Sequence, residues 1–392
     1  MSIAIGVDPV KRIQMGLNRI RGHSDIKTSQ ARSDEVSLSP DETYFTPYSM
    51  NRAYKSKNFG NTAYLELPNC PHRCVWCYVA PGNLGGHVYT EWAREYRRKK
   101  AESGDLPWEL VDDPRISADD TFKHYLQRHT KKPLDAVCPG SSEPLSFLPA
   151  IKRFSELVRE HGIPFIVGID TTGFQFDHNP ELVDELNGLE EVVHFVIATF
   201  KGRNPTEHLR VSTSSVDSWH AGINSQDLLL RKGFWTIPAG ITLNTFAHPN
   251  PATFKRVAEL DPKFVKDGEF TMRYREFLAE KTAEWLHNQL SAIHPDYPRL
   301  LHYNAVTYGR VSAPEHQLRQ MRAAGFVNCK PSILKKALER VFEKRDTPII
   351  QYDREQYSTI HPQYGEVMRQ IISDKKGKPK NQELALMGGV DI

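Results

Sequence analysis

From Asn61 onward, short apolar runs rich in β-branched and aromatic residues alternate with stretches whose apolar positions recur every three to four residues. That is the pattern of βα units laid on a parallel sheet. Strands are predicted at 62–67, 134–138, 164–169, 192–199, 235–243 and 301–308, and one-faced helices at 118–129, 148–161, 180–186, 217–232, 251–260, 274–292 and 315–324. Six strands in such a series predict an α/β protein with an open or partial parallel barrel, whose site belongs at the carboxyl ends of the strands. Residues 1–60 are polar and basic with no sustained period, so they are predicted to be an extension that packs around the core or is partly mobile. After Lys330 the pattern predicts a strong amphipathic helix at 331–345, a Tyr/Gln/His-rich stretch, and a solvated tail at 373–383 carrying Lys-Lys-Gly-Lys-Pro-Lys. The expected organisation is an N-terminal extension at 1–60, a barrel core at 61–310 and a helical C-terminal extension with a polar tail at 311–392.

Composition narrows the class without changing this picture. Hydrophobic residues at 39% and charged residues at 25% are ordinary for a folded, aqueous protein. A formal net charge of +3 makes no strong global field for nucleic acid or membrane. No apolar run is long enough for a spanning helix, and residues 1–20 lack the layout of a secretion signal, so no membrane partner is expected and the localisation expected is cytoplasmic. Five cysteines, three of them crowded together while Cys138 and Cys329 stand alone, do not read as a disulfide framework. In a reducing compartment such a group is a metal or catalytic site.

The crowded cysteines lie in Pro68-Asn69-Cys70-Pro71-His72-Arg73-Cys74-Val75-Trp76-Cys77-Tyr78, a C-x3-C-x2-C spacing with an aromatic residue directly before the third cysteine. Three thiolates fill three corners of a cubane cluster and leave one iron without a protein ligand, open to a small chelating molecule. A structural zinc site completed by His72 is the competing reading, although zinc folds usually pair two separated knuckles.

The motif, placed after the first strand of a βα series, resembles that of the radical S-adenosylmethionine (radical SAM) superfamily, whose signature is C-x3-C-x-aromatic-C on the loop after the first strand of a partial (β/α)6 TIM-like barrel. The resemblance implies an iron–sulfur enzyme in which Cys70, Cys74 and Cys77 hold a [4Fe–4S] cluster. The amino and carboxylate groups of S-adenosylmethionine would chelate its open iron, and reductive cleavage would give a 5′-deoxyadenosyl radical that takes hydrogen from a substrate. It also implies an electron donor such as flavodoxin or ferredoxin.

Further positions follow from the same resemblance. Gly140-Ser141-Ser142-Glu143 ends the second strand where the superfamily has a Gly-Gly-Glu-like turn for the amino group of S-adenosylmethionine; Glu143 either faces that ammonium or caps the next helix. Thr171 and Thr172, in Asp170-Thr171-Thr172-Gly173, resemble a Thr-x-Gly strand ending whose hydroxyls reach the methionine carboxylate or ribose. Lys201, after the fourth strand, either contacts a carboxylate or is solvated. Ile241 lies where the fifth strand passes the adenine, next to Gly240, which permits close approach of a ring or marks a bulge. Cys138 either returns a hydrogen atom to a product radical or simply packs, as free cysteines usually do. His194, His302 and Tyr303 are core residues or substrate contacts.

The resemblance covers about 61–243 and specifies the cofactor rather than the substrate. No second cysteine-rich segment follows the barrel and no cobalamin-binding half precedes it, which argues against the auxiliary-cluster and cobalamin-dependent subgroups. The run Lys-Pro-Leu-Asp-Ala-Val-Cys-Pro-Gly-Ser-Ser-Glu-Pro is loosely similar to spore photoproduct lyase and its relatives, which act on thymine in DNA. A nucleobase or nucleotide substrate is therefore expected, with Tyr303, Tyr308 and Arg310 as contacts. A radical SAM enzyme on a sugar or amino acid and a zinc-stabilised nucleic-acid-binding protein remain open, as does the choice among lyase, isomerase and oxidoreductase.

Overall fold

The structure is a computed structural model that describes residues 44–45, 53–56, 60–66, 91–104, 108–112, 116–131, 136–140, 143–161, 167–187, 193–202, 216–241, 245–247, 261–266, 269–304, 326–328, 331–350 and 362–378, with isolated positions at 205, 208, 255 and 257–259. These residues form a mixed α/β protein. Strands β1 (Ala53–Ser56), β2 (Gly60–Glu66) and β3 (Ala136–Gly140) make one sheet in that order, with β1 antiparallel and β3 parallel to β2. Strands β4 (Val167–Thr171), β5 (Val193–Phe200), β6 (Thr236–Ile241) and β7 (His302–Asn304) make a second, wholly parallel sheet in chain order. Strands β3 and β4 lie side by side, so the two sheets adjoin at that pair.

Parallel neighbours need crossovers, and helices supply them. The helices of five or more described residues are α1 (Glu91–Glu102), α2 (Ala118–Lys131), α3 (Leu148–Glu160), α4 (Phe174–His178), α5 (Glu181–Asn187), α6 (Val216–Arg231), α7 (Met272–Ile293), α8 (Pro331–Lys344) and α9 (Pro362–Lys375). Helix α3 shows why the pattern was readable: Leu148, Ile151, Phe154, Ser155 and Val158 are buried on one face, while Pro149 and Arg159 are exposed. Strand β5 is buried without interruption from Val196 to Phe200, as expected of a strand covered on both faces.

Two apolar clusters flank the parallel sheet. One joins α2 and α3 to Ile169 and Val196; the other joins α6 to α9 to Ile197, Ile237 and Ala239. Val196 and Ile197, consecutive on β5, fall in different clusters because successive strand side chains face opposite ways.

All six predicted strands are present among the described residues, shifted by no more than a few positions. The predicted helices at 118–129, 148–161, 180–186, 217–232, 274–292 and 331–345 are present too; 251–260 is helical where described, and 315–324 lies outside the described residues. One expectation gains detail and one is corrected. Ala53–Ser56, inside the span expected to be an extension, is a strand that pairs along β2, and Tyr44–Phe45 pairs with Ile116–Ser117. The start of the tail expected to be solvated is the last turn of α9, and Lys375 is buried there. Its Nζ donates to Ile293 O at 2.7 Å and forms an ion pair with Asp227, off the line of a hydrogen bond. Asp227 is fully buried and also accepts from Arg231 Nε at 2.9 Å. No helix among the described residues is long and apolar enough to cross a membrane.

Candidate functional site

Because the strands are parallel, their carboxyl ends share one edge. The ladders put Glu66 beside Gly140, Phe200 beside Gly240 and Ile241 beside Asn304. Cys70, Cys74 and Cys77, which follow β2 in the sequence, lie outside the described residues, as do Ser141, Ser142, Cys329, Tyr308 and Arg310. Among the described residues there is no group of three or more His, Cys, Asp or Glu side chains that could hold a metal ion.

The best-defined feature of this edge joins the ends of β3 and β4. Glu143 begins a 3-10 turn at Pro144–Phe147, yet its side chain makes no capping bond, so the helix-cap alternative fails. The carboxylate is 1% exposed and turns to the neighbouring strand end instead. Thr171 Oγ1 donates to one oxygen; Thr172 donates to the other through both its backbone N–H, at 3.0 Å, and its Oγ1, at 2.7 Å. Thr171 Oγ1 also accepts from the Gly173 N–H at 2.9 Å, a local turn bond of the kind that Ser and Thr make two residues along. Such bonds to a carboxylate replace the water that burial removes. The sequence singled out Glu143, Thr171 and Thr172 separately, and the fold brings them into one cluster.

Gly173 follows with φ of +74°, a left-handed conformation that glycine adopts at little cost, and its carbonyl accepts from Phe176 N–H to open α4. Helix α6 then crosses close behind. A Cβ on Gly222 would lie 2.8 Å from Thr172 O, and one on Gly173 would lie 2.2 Å from Ser225 Oγ. Gly222 and Ser225 were not singled out from the sequence; their signal was a small residue at i and i+3 on a helix that is buried over most of its second half.

Lys201 follows β5 and is half-buried. Its carbonyl lies 2.6 Å from Nδ1 of His208, another residue the sequence did not single out. A carbonyl only accepts, so Nδ1 carries the proton and the tautomer is fixed. Burial pushes His208 down to about 4 against the carbonyl, which favours the protonated ring, while the Lys201 charge lowers it further; the ring is neutral at pH 7. Gly240 stands in register in both of its ladders, which rules out the bulge, and Ile241 ends β6. Cys138 pairs with Tyr64 within the β2–β3 ladder, and His302 is buried on β7, opposite Ala239. No family model matches the chain, and no curated protein matches it.

Proposed function

We propose that this protein is a radical SAM enzyme built on a partial (β/α)6 barrel. The observation that carries the reading is the C-x3-C-x2-C motif with Trp76 before its last cysteine, which directly follows the first parallel strand of the series. Three thiolates without a fourth suit a [4Fe–4S] cluster with one open iron. The polar edge formed by Gly140, Glu143 and the Thr171–Thr172 ending suits the amino-acid moiety of S-adenosylmethionine. When bound, the cluster supplies the electron that cleaves the sulfonium of S-adenosylmethionine.

The chain's own residues have the remaining tasks. Cys70, Cys74 and Cys77 hold the cluster, the turn that begins at Gly140 and the Thr171–Thr172 ending, with Glu143 behind them, bind the methionine end, Lys201 contacts a carboxylate, and Ile241 lies along the adenine. Cys138 is the candidate hydrogen donor. The substrate read is a nucleobase or nucleotide, with Tyr303, Tyr308 and Arg310 as its contacts. The electron donor is a flavodoxin or ferredoxin, in the reducing cytoplasm that such a cluster requires.

Anaerobic purification tests the reading directly. The protein is expected to be brown, with about four irons and four sulfides per chain, and to release 5′-deoxyadenosine when reduced by dithionite in the presence of S-adenosylmethionine. Alanine at Cys70, Cys74 or Cys77 is expected to abolish both the colour and the release. A colourless protein holding one zinc would sink the proposal in favour of a zinc-stabilised fold.

A further inference from the structure

The Thr171–Thr172–Gly173 turn takes its shape from two elements outside it. From β3's side, the buried Glu143 carboxylate engages Thr171 Oγ1, Thr172 N–H and Thr172 Oγ1. From the opposite side, α6 reaches the turn backbone through Gly222, where any Cβ would come within 2.8 Å of Thr172 O. Ser225 Oγ is fixed by its bond to Gly222 O at 2.9 Å and occupies the space a Cβ on Gly173 would need. A carbonyl at that separation cannot yield to a new methyl group without moving the turn or the helix.

We propose that Glu143 is a positioning residue, acting through the two threonines, and that Gly222 holds the same turn from behind, so that this part of the strand edge is set before any ligand arrives. The clamp joins three elements that are distant in sequence: the turn that follows β3, the end of β4 and the middle of α6. Removing either jaw frees the turn, and the other jaw alone does not restore it. The clamp stands without any cofactor; only its consequence for S-adenosylmethionine rests on the proposed function.

Hydrogen–deuterium exchange on the full chain tests it, with peptides over 168–178 compared with those of α3. Glu143→Gln places an amide donor against donors, and Gly222→Ala pushes the turn from behind. Each is expected to speed exchange in 168–178 about tenfold while α3 exchanges as before. Thr172→Ser, which keeps the hydroxyl, is expected to match the parent. Should Glu143→Gln fail to fold, Thr172→Val removes one donor and is expected to give the same local effect. Turn protection equal to the parent's in Gly222→Ala, or in whichever of Glu143→Gln and Thr172→Val folds, overturns the clamp.

Equilibrium dialysis of S-adenosylmethionine against the anaerobically reconstituted chain separates positioning from contact. Glu143→Gln is expected to weaken binding about tenfold in the parent and to add nothing in a Thr171→Val/Thr172→Val background. An equal loss in both backgrounds makes Glu143 a direct ligand contact and overturns its positioning role. A parent chain that fails to bind S-adenosylmethionine removes the proposed function and leaves the exchange result to decide the clamp.

Discussion

At the scale of single residues, two glycines with the same backbone conformation make a controlled comparison. Gly173 and Gly233 both have positive φ, but only Gly173 is crowded: a Cβ there meets Ser225, whereas one on Gly233 meets nothing within 4 Å. Gly233→Ala is expected to cost about 1 kcal/mol from its conformation, and Gly173→Ala about 2–3 kcal/mol once overpacking is added. Urea midpoints of the two variants check the ranking. Two histidines carry a pH dependence of known sign. Burial, with Lys201 at His208 and Arg345 at His287, lowers both to about 4 from an ordinary value of 6.5. Between those values the unfolded chain binds protons that the native rings refuse, so stability is full above pH 6.5 and falls as the pH drops toward 4. The loss is expected to reach at most about 2 kcal/mol per ring by pH 5, read as a shift in urea midpoint between pH 7.5 and 5. His208→Gln should flatten its share.

At the scale of elements, what could be read in advance followed from how each segment buries its side chains. Strand β5 is Val-His-Phe-Val-Ile-Ala-Thr-Phe and helix α3 has a wide apolar face, so local pattern sufficed for both. Helix α9 carries a narrower stripe, Tyr364, Met368 and Ile371, interrupted by Gly365 and followed by lysines; most of it falls in the Tyr/Gln/His-rich stretch to which no element was assigned, and its last turn in the tail expected to be solvated. What decides Lys375 is Asp227, a partner far away in the chain that no periodicity reveals. The candidate site divides the same way. Glu143 stood out as a carboxylate in a turn of small residues and Thr171–Thr172 as a polar strand ending, but their pairing is tertiary and so was not legible. Gly222 and Ser225 matter only because α6 passes behind that ending. Lys375→Met tests how α9 is held: it strips one cation from a fully buried carboxylate that keeps only Arg231, with an expected loss of about 3 kcal/mol. Pairing it with Asp227→Asn should recover part of that loss, and chemical denaturation of both variants measures the difference.

At the scale of the whole molecule, the buried polar cluster and the anchoring tyrosines occupy different places along the strands. Glu143, Thr171 and Thr172 gather beyond the carboxyl ends of β3 and β4. Tyr297, by contrast, donates to Thr236 O, at the first residue of β6, and Tyr364 of α9 donates to Leu300 O just before β7. The turn after α7 and helix α9 therefore fasten the ends at which strands β6 and β7 begin, away from the edge that carries the polar cluster. The order of synthesis gives that fastening a further meaning. Asp227 leaves the ribosome well before Lys375, and until α9 arrives its carboxylate has only half of its mature company. Until α9 emerges, the nascent parallel sheet must wait with that carboxylate wet, and the arrival of α9 is what lets the water leave.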